Sequence, residues 1–178
     1  WEADIQSFIS SKLVPGDVFY DIGVHKGYFT LIAAQLVGKD GKVVGFEPSN
    51  SCRDAARQNI DLNPDLSQRI ELLDYAIADS AKTVKFHGAA HSTKGRIVDS
   101  DQDEDSYEVE AISIDQFVGS GNPIPTFIKM DIQGGERWAL PGMTETLKTH
   151  GPLLLVEIHD LESYRPRIDV PELTEYYV

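Results

Sequence analysis

An aspartate and two glycines, Asp21, Gly23 and Gly27, stand where an apolar run, "VFYDI", gives way to a helix-like pattern. Glycines at such a turn let a ligand approach the backbone and expose the amides at the helix start. A dinucleotide site would want G-x-G-x-x-G to seat a pyrophosphate. The spacing here is G-x-x-x-G, and a carboxylate precedes it, which suits a cation such as an amino group or a sulfonium. Further on, the run "KVVGFE" ends in Glu47-Pro48, and an acidic side chain at that place can take both hydroxyls of a ribose. A third carboxylate, Asp131, closes the run "TFIKMD".

These residues need elements to hold them. Ile5, Phe8, Ile9 and Leu13 share one helical face over residues 2–13, and Pro15-Gly16-Asp17 makes a turn. "VFYDI" reads as strand one, Tyr28–Val37 as a helix ended by Gly38, and "KVVGFE" as strand two. Ser49 or Asn50 caps a helix to about Leu62, "IELLDYAIA" is strand three, and "TFIKMDI" is strand four. A helix follows from Gly134, broken at Pro141-Gly142, and "LLLVEIH" is strand five. Short apolar strands alternating with helices predict a doubly wound, mostly parallel α/β sheet in a single domain over 1–178. Residues 83–114 break the alternation. "TVKFH" and "YEVEAISI" alternate with period two around an acidic stretch, which predicts an antiparallel hairpin inserted between strands three and four.

With that order in place, the chain resembles the FkbM-type methyltransferases, a branch of the class I S-adenosylmethionine-dependent enzymes. "DIGVHKGYFT" is similar to that family's D-[VI]-G-A-N-x-G-x-[FY]-[ST], "VVGFEPS" to V-x-A-F-E-P, and "IKMDIQGGE" to I-K-[IVM]-D-[VI]-E-G-x-E. "LLLVEIH" resembles its strand-five ending, and the motifs together span roughly residues 16–160. The resemblance implies a Rossmann-like fold and S-adenosylmethionine as cofactor. Asp21, Gly23 and Gly27 would line its methionine end, Glu47 would bind the ribose, Phe46 and Pro48 would shape the adenosine pocket, and Asp74 would contact adenine. Asp131 would orient or deprotonate an acceptor hydroxyl, with Lys129, Glu136, Glu157 and His159 around it. The implied reaction is O-methylation of a small hydroxylated acceptor, a sugar or secondary metabolite. Two departures stand out: Val24-His25 replaces Ala-Asn, and Gln133 replaces Glu. The fold class also calls for a helix and two more strands after His159, more than residues 160–178 supply, so the C-terminal strands are expected to be missing.

Composition bounds the partners. With 29 acidic residues against 16 basic ones the formal charge is −13, which argues against binding a phosphate backbone. It also fits an acidic surface adapted to a salty cytoplasm. No apolar run approaches the roughly 20 residues a membrane helix needs. The single cysteine, Cys52, excludes an internal disulfide and fits a reducing cytoplasm. No metal site is expected. His87 and His91 lack partners at helical spacing, and Asp99, Asp101, Asp103 and Glu110 match calcium-loop positions without the glycine such a loop needs. Two other functions stay open: a non-catalytic binding module on the same fold, and a nicotinamide-dependent oxidoreductase, which the missing G-x-G-x-x-G disfavours.

Overall fold

A computed structural model describes residues 2–87, 96–97 and 106–159. In chain order its helices are α1 (Glu2–Lys12), α2 (Tyr28–Leu36), α3 (Asn50–Asp61), α4 (Pro64–Ser67), α5 (Ile114–Gly119), α6 (Glu136–Ala139) and α7 (Thr144–His150). The strands are β1 (Val18–Ile22), β2 (Lys42–Phe46), β3 (Ile70–Leu73), β4 (Ala76–Ile77), β5 (Lys82–His87), β6 (Arg96–Ile97), β7 (Ser106–Ile112), β8 (Phe127–Met130) and β9 (Leu153–Val156). His91, most of the calcium-like run and residues 160–178 lie outside the described residues.

The main sheet has the order β3-β2-β1-β8-β9, every pair parallel. β1 is central, and all of it beyond the partly buried Val18 is buried, because helices cover both faces. Alternation along the strands sorts the core into two layers. Phe19, Val43, Phe127 and Leu155 pack on Ile9 of α1, on Leu13 just after it, and on Ala33 and Ala34 of α2. Tyr20, Ile22, Val44, Phe46, Ile128 and Met130 pack on the other side against Ile114 and Phe117 of α5, Ala139 of α6, and Leu140 and Met143 in the 3-10 turn after it. The chain is therefore doubly wound, with β1 between two strands reached in opposite directions.

The expected third strand is two strands. β3 stays at the edge of the main sheet, while β4 leaves it at the exposed Asp74 and pairs parallel with β7. Ala76, Ala78 and Ala111 pack together at that junction. β5 and β7 pair antiparallel from Lys82↔Ala111 to His87↔Ser106, inside a second sheet of order β4-β7-β5-β6. The end of "YEVEAISI" is not strand, because Ser113 caps α5. Its side chain accepts from the Gln116 amide while the Gln116 side chain accepts from the Ser113 amide, a reciprocal capping box.

Candidate active site

Three carboxylates sit one residue beyond the carboxyl ends of their strands, each carried by one more rung of the ladder. The Glu47 amide donates to Leu73 O (3.0 Å), that of Asp131 to Ile22 O (3.0 Å), and that of Glu157 to Met130 O (2.9 Å). The strand order reverses at β1, so the chain leaves β1 and β8 towards opposite faces and a crevice opens between them. A cleft of about 240 Å³ occupies it. Gly23, Phe46, Glu47, Pro48, Lys129 and Asp131 line it.

Gly23 has φ +87°, and a Cβ there would stand 2.0 Å from the carbonyl oxygen of Asp131. The turn after β1 and the turn after β8 touch backbone to backbone at this point, which only glycine permits. The same two turns hold the non-glycine residues with left-handed backbone, His25 (φ 55°) and Gln133 (φ 54°). Asn, the resembled family's residue at position 25, is well suited to that conformation, and His tolerates it better than most. Gly27 does not line the cleft. It starts α2 at φ +84°, and a Cβ there would make only ordinary contacts with Ala56.

Asp21 is fully buried and does not line the cleft either. Thr30 Oγ1 donates to its Oδ2 at 2.6 Å, and Lys129 Nζ lies 3.2 Å from its Oδ1. The pair follows from the register, which sets Asp21 beside Lys129 on adjacent strands. Lys129 Nζ also donates to Gly23 O at 3.3 Å and lies 5.2 Å from the Phe29 ring centroid. Lys129, expected near Asp131, lines the cleft but spends its ammonium elsewhere. Lys129 is committed to Asp21, and the two pin the glycine turn from beneath.

Glu47 is 6% exposed. Its Oε2 accepts from the His25 amide at 2.8 Å and its Oε1 from the Ser49 amide at 2.9 Å. Burial raises its pKa above the usual carboxylate value, and the two amides pull in the other direction. An ionised carboxylate offers about four lone-pair positions, so two remain to meet a ligand. Arg53 braces the turn, donating to Glu47 O at 2.9 Å and Pro48 O at 3.2 Å.

Asp74 is exposed and outside the cleft. Its neighbour Tyr75 lines the wall instead, with Ile77, Phe86 and Ile97 of the second sheet. The sequence reading missed these four, since apolar side chains bear no mark of chemistry. The break of period at Asp74-Tyr75 was the available signal.

On the far side, Asp131 Oδ1 accepts from Gln133 Nε2 at 3.1 Å. Glu136, Glu157 and His159 gather beside it. His159 lies 3.2 Å from Glu136 and 3.3 Å from Glu157. Burial, and then the charge of Asp131, push the Glu157 carboxyl up to about 7, with His159 opposing.

Comparison with known proteins agrees with this architecture. The chain is 28% identical over 159 residues to the hexuronic acid methyltransferase AglP of Haloferax volcanii, covering 89% of this chain and 62% of that protein. The chain thus spans less than two thirds of that relative's length. The crystal structure of methyltransferase FkbM from Methylobacillus flagellatus superposes with a TM-score of 0.61 at 19% identity, over 84% of this chain and 36% of that one. Precorrin-6y C5,15-methyltransferase from Geobacter metallireducens superposes at 0.56 and 12% identity, over 93% of this chain and 68% of that one. These two show the fold alone. Residues 21–176 match the methyltransferase FkbM domain, a span that takes in the glycine turn, Glu47, Asp131 and the Glu157–His159 strand end, and the chain belongs to that family.

Proposed function

We propose that this chain is an S-adenosylmethionine-dependent methyltransferase acting on a hydroxyl of a sugar-like acceptor. One observation carries the reading: Glu47 and Asp131 face a single cleft from opposite sides of the turn held by Gly23. The residues present fit the cofactor. Glu47 keeps lone pairs for two ribose hydroxyls, Phe46, Tyr75 and Ile77 offer apolar surface for a base, and the backbone after Gly23 lines the same cleft and would border the methionine end. When bound, S-adenosylmethionine would supply an activated methyl on a sulfonium, transferable to the acceptor oxygen with the carbon–sulfur electrons left on sulfur. Asp131 holds the acceptor hydroxyl in line and takes its proton, with His159 and Glu157 next in reach. A relative named for hexuronic acid supports a sugar acid or sugar as acceptor.

Calorimetry with S-adenosylhomocysteine, S-adenosylmethionine and NAD tests the cofactor. The first two are expected to bind and NAD to give no heat; the reverse ends the reading. A panel of hexuronic acids and neutral sugars, assayed for methyl transfer, tests the acceptor. Asp131→Asn is expected to slow transfer by about 10²–10⁴ with cofactor affinity unchanged. Cofactor binding without transfer to any hydroxylated acceptor would favour a binding module.

A further inference from the structure

Four side chains from separate stretches of sequence meet beside the cleft. His159 Nδ1 lies 3.2 Å from Glu136 Oε1, while its Nε2 lies 3.3 Å from Glu157 Oε1 and 3.8 Å from Asp131 Oδ1. With a carboxylate accepting at Nδ1, the hydrogen of a neutral ring sits there and Nε2 presents its lone pair. Gln133 Nε2 is 2.9 Å from that lone pair and 3.1 Å from Asp131 Oδ1. So an imidazole lone pair and two carboxylate groups converge on one spot, where a neutral amide is the donor that meets them.

Glu136 adds an independent observation. It is fully buried, and its Oε1 accepts from the amides of Ile132 and Gly134, each at 3.2 Å, as well as facing His159. Its Oε2 is buried without a hydrogen-bond partner. A buried carboxylate that is short of partners is costly unless positive charge lies close by. Lys129, the buried cation of the site, is already committed to Asp21. The ligand atoms of Asp131, Glu136 and His159 all lie within 4.8 Å of one another.

We propose that Asp131, Glu157 and His159 bind a divalent cation, with Glu136 as the positioning residue that holds His159 through Nδ1. Donor atoms bonded to one ion at about 2.0–2.2 Å sit roughly 3–4 Å apart, the spacing found around His159 Nε2. A carboxylate accepting from the second nitrogen is the usual way a ligating imidazole is oriented. Two carboxylates with one imidazole suit Mn²⁺, and Mg²⁺ where water fills the remaining positions. The Gln133 amide must turn aside for the ion to enter. What the ion does there rests on the methyltransferase reading: it draws the acceptor oxygen to Asp131 and eases loss of its proton. It also offsets the carboxylates that would repel an acceptor carrying an acid group of its own.

The test is a titration of chelator-treated protein with Mn²⁺, following the free-ion signal by electron paramagnetic resonance. The expected result is one ion per chain, displaced by excess Mg²⁺. Asp131→Asn and His159→Gln are each expected to weaken binding at least tenfold, and Glu136→Gln by roughly 10- to 100-fold. Calorimetry with S-adenosylhomocysteine on the same variants reports the fold and the cofactor site separately. Absence of that signal in the parent protein would end the methyltransferase reading and leave the Mn²⁺ result standing. If Glu136→Gln does not fold, the two less buried positions decide. No Mn²⁺ bound at millimolar concentration, or binding that survives both Asp131→Asn and His159→Gln, overturns the proposal.

Discussion

Glu47 is where single-residue chemistry is most exposed to test. Replacing it with Ala removes its charge-assisted acceptors, and bonds of that kind are worth about 1.5–3 kcal/mol each, so S-adenosylhomocysteine should bind roughly ten- to a hundredfold more weakly by calorimetry for each bond lost. Acid should act in the same direction. The folded-state pKa of Glu47 is raised by burial, so its charge is lost sooner on acidification than that of an exposed carboxylate. Stability runs the opposite way: a raised folded pKa means that Glu47 stabilises the fold below its unfolded pKa, and that this is lost as pH rises through the folded value. Ligand affinity should therefore rise with pH over the window in which the melting temperature falls, and Glu47→Gln should flatten both trends. That Glu47 closes β2 and lines the cleft was legible from its spacing after the glycines, the place along a βαβ unit where an acid can meet a ribose. Asp74, expected from the resemblance alone, lies outside the cleft, because the chain leaves the main sheet there; only the break of period at Asp74-Tyr75 marks that in the sequence. Gly23→Ala gives a purely steric contrast. Its Cβ would collide with the Asp131 carbonyl, whereas a Cβ at Gly16, also at positive φ, meets nothing within 4 Å. Thermal melts should show Gly16→Ala costing about 1–2 kcal/mol and Gly23→Ala clearly more.

Among the elements, β1 and β8 depend on each other through Asp21 and Lys129. Breaking a buried pair from one side strands the other charge, so Lys129→Met should destabilise by about 3–5 kcal/mol in denaturant unfolding. Adding Asp21→Asn to that variant should recover part of the loss, and a double variant no better than Lys129→Met alone would mean that the lysine acts through packing. The strands themselves were readable because each is a short apolar run closed by glycine, proline or an acid. The pairing of Asp21 with Lys129 was not, since it depends on which strands become neighbours across more than a hundred residues. The helix α5 could have been found from Ser113 and Gln116, which stand three apart in the S-x-x-Q pattern of a capping box. The strand-like "YEVEAISI" ran over that signal. Ser113→Ala should cost about 1 kcal/mol and loosen the face of the core formed by Ile114 and Phe117.

At the scale of the whole molecule the formal charge of −13 is spread over a small fold, and self-repulsion works against compactness. Added ions screen it, so the melting temperature should climb between low and molar potassium chloride; a flat profile would mean the acidity carries no such burden. Among the described residues no helix is long and apolar enough to cross a membrane. The doubly wound order was legible from the alternation of elements, but the wall that the second sheet gives the cleft was not, because β4 through β7 bring distant apolar residues to β2 only after folding. The contact between Gly23 and the Asp131 carbonyl has a thermodynamic corollary. The two turns share a tightly packed surface, so a ligand that shifts one is expected to alter the affinity of the other half of the crevice. Linkage makes that exchange symmetric: whatever factor S-adenosylhomocysteine applies to the dissociation constant of Mn²⁺, Mn²⁺ must return to S-adenosylhomocysteine.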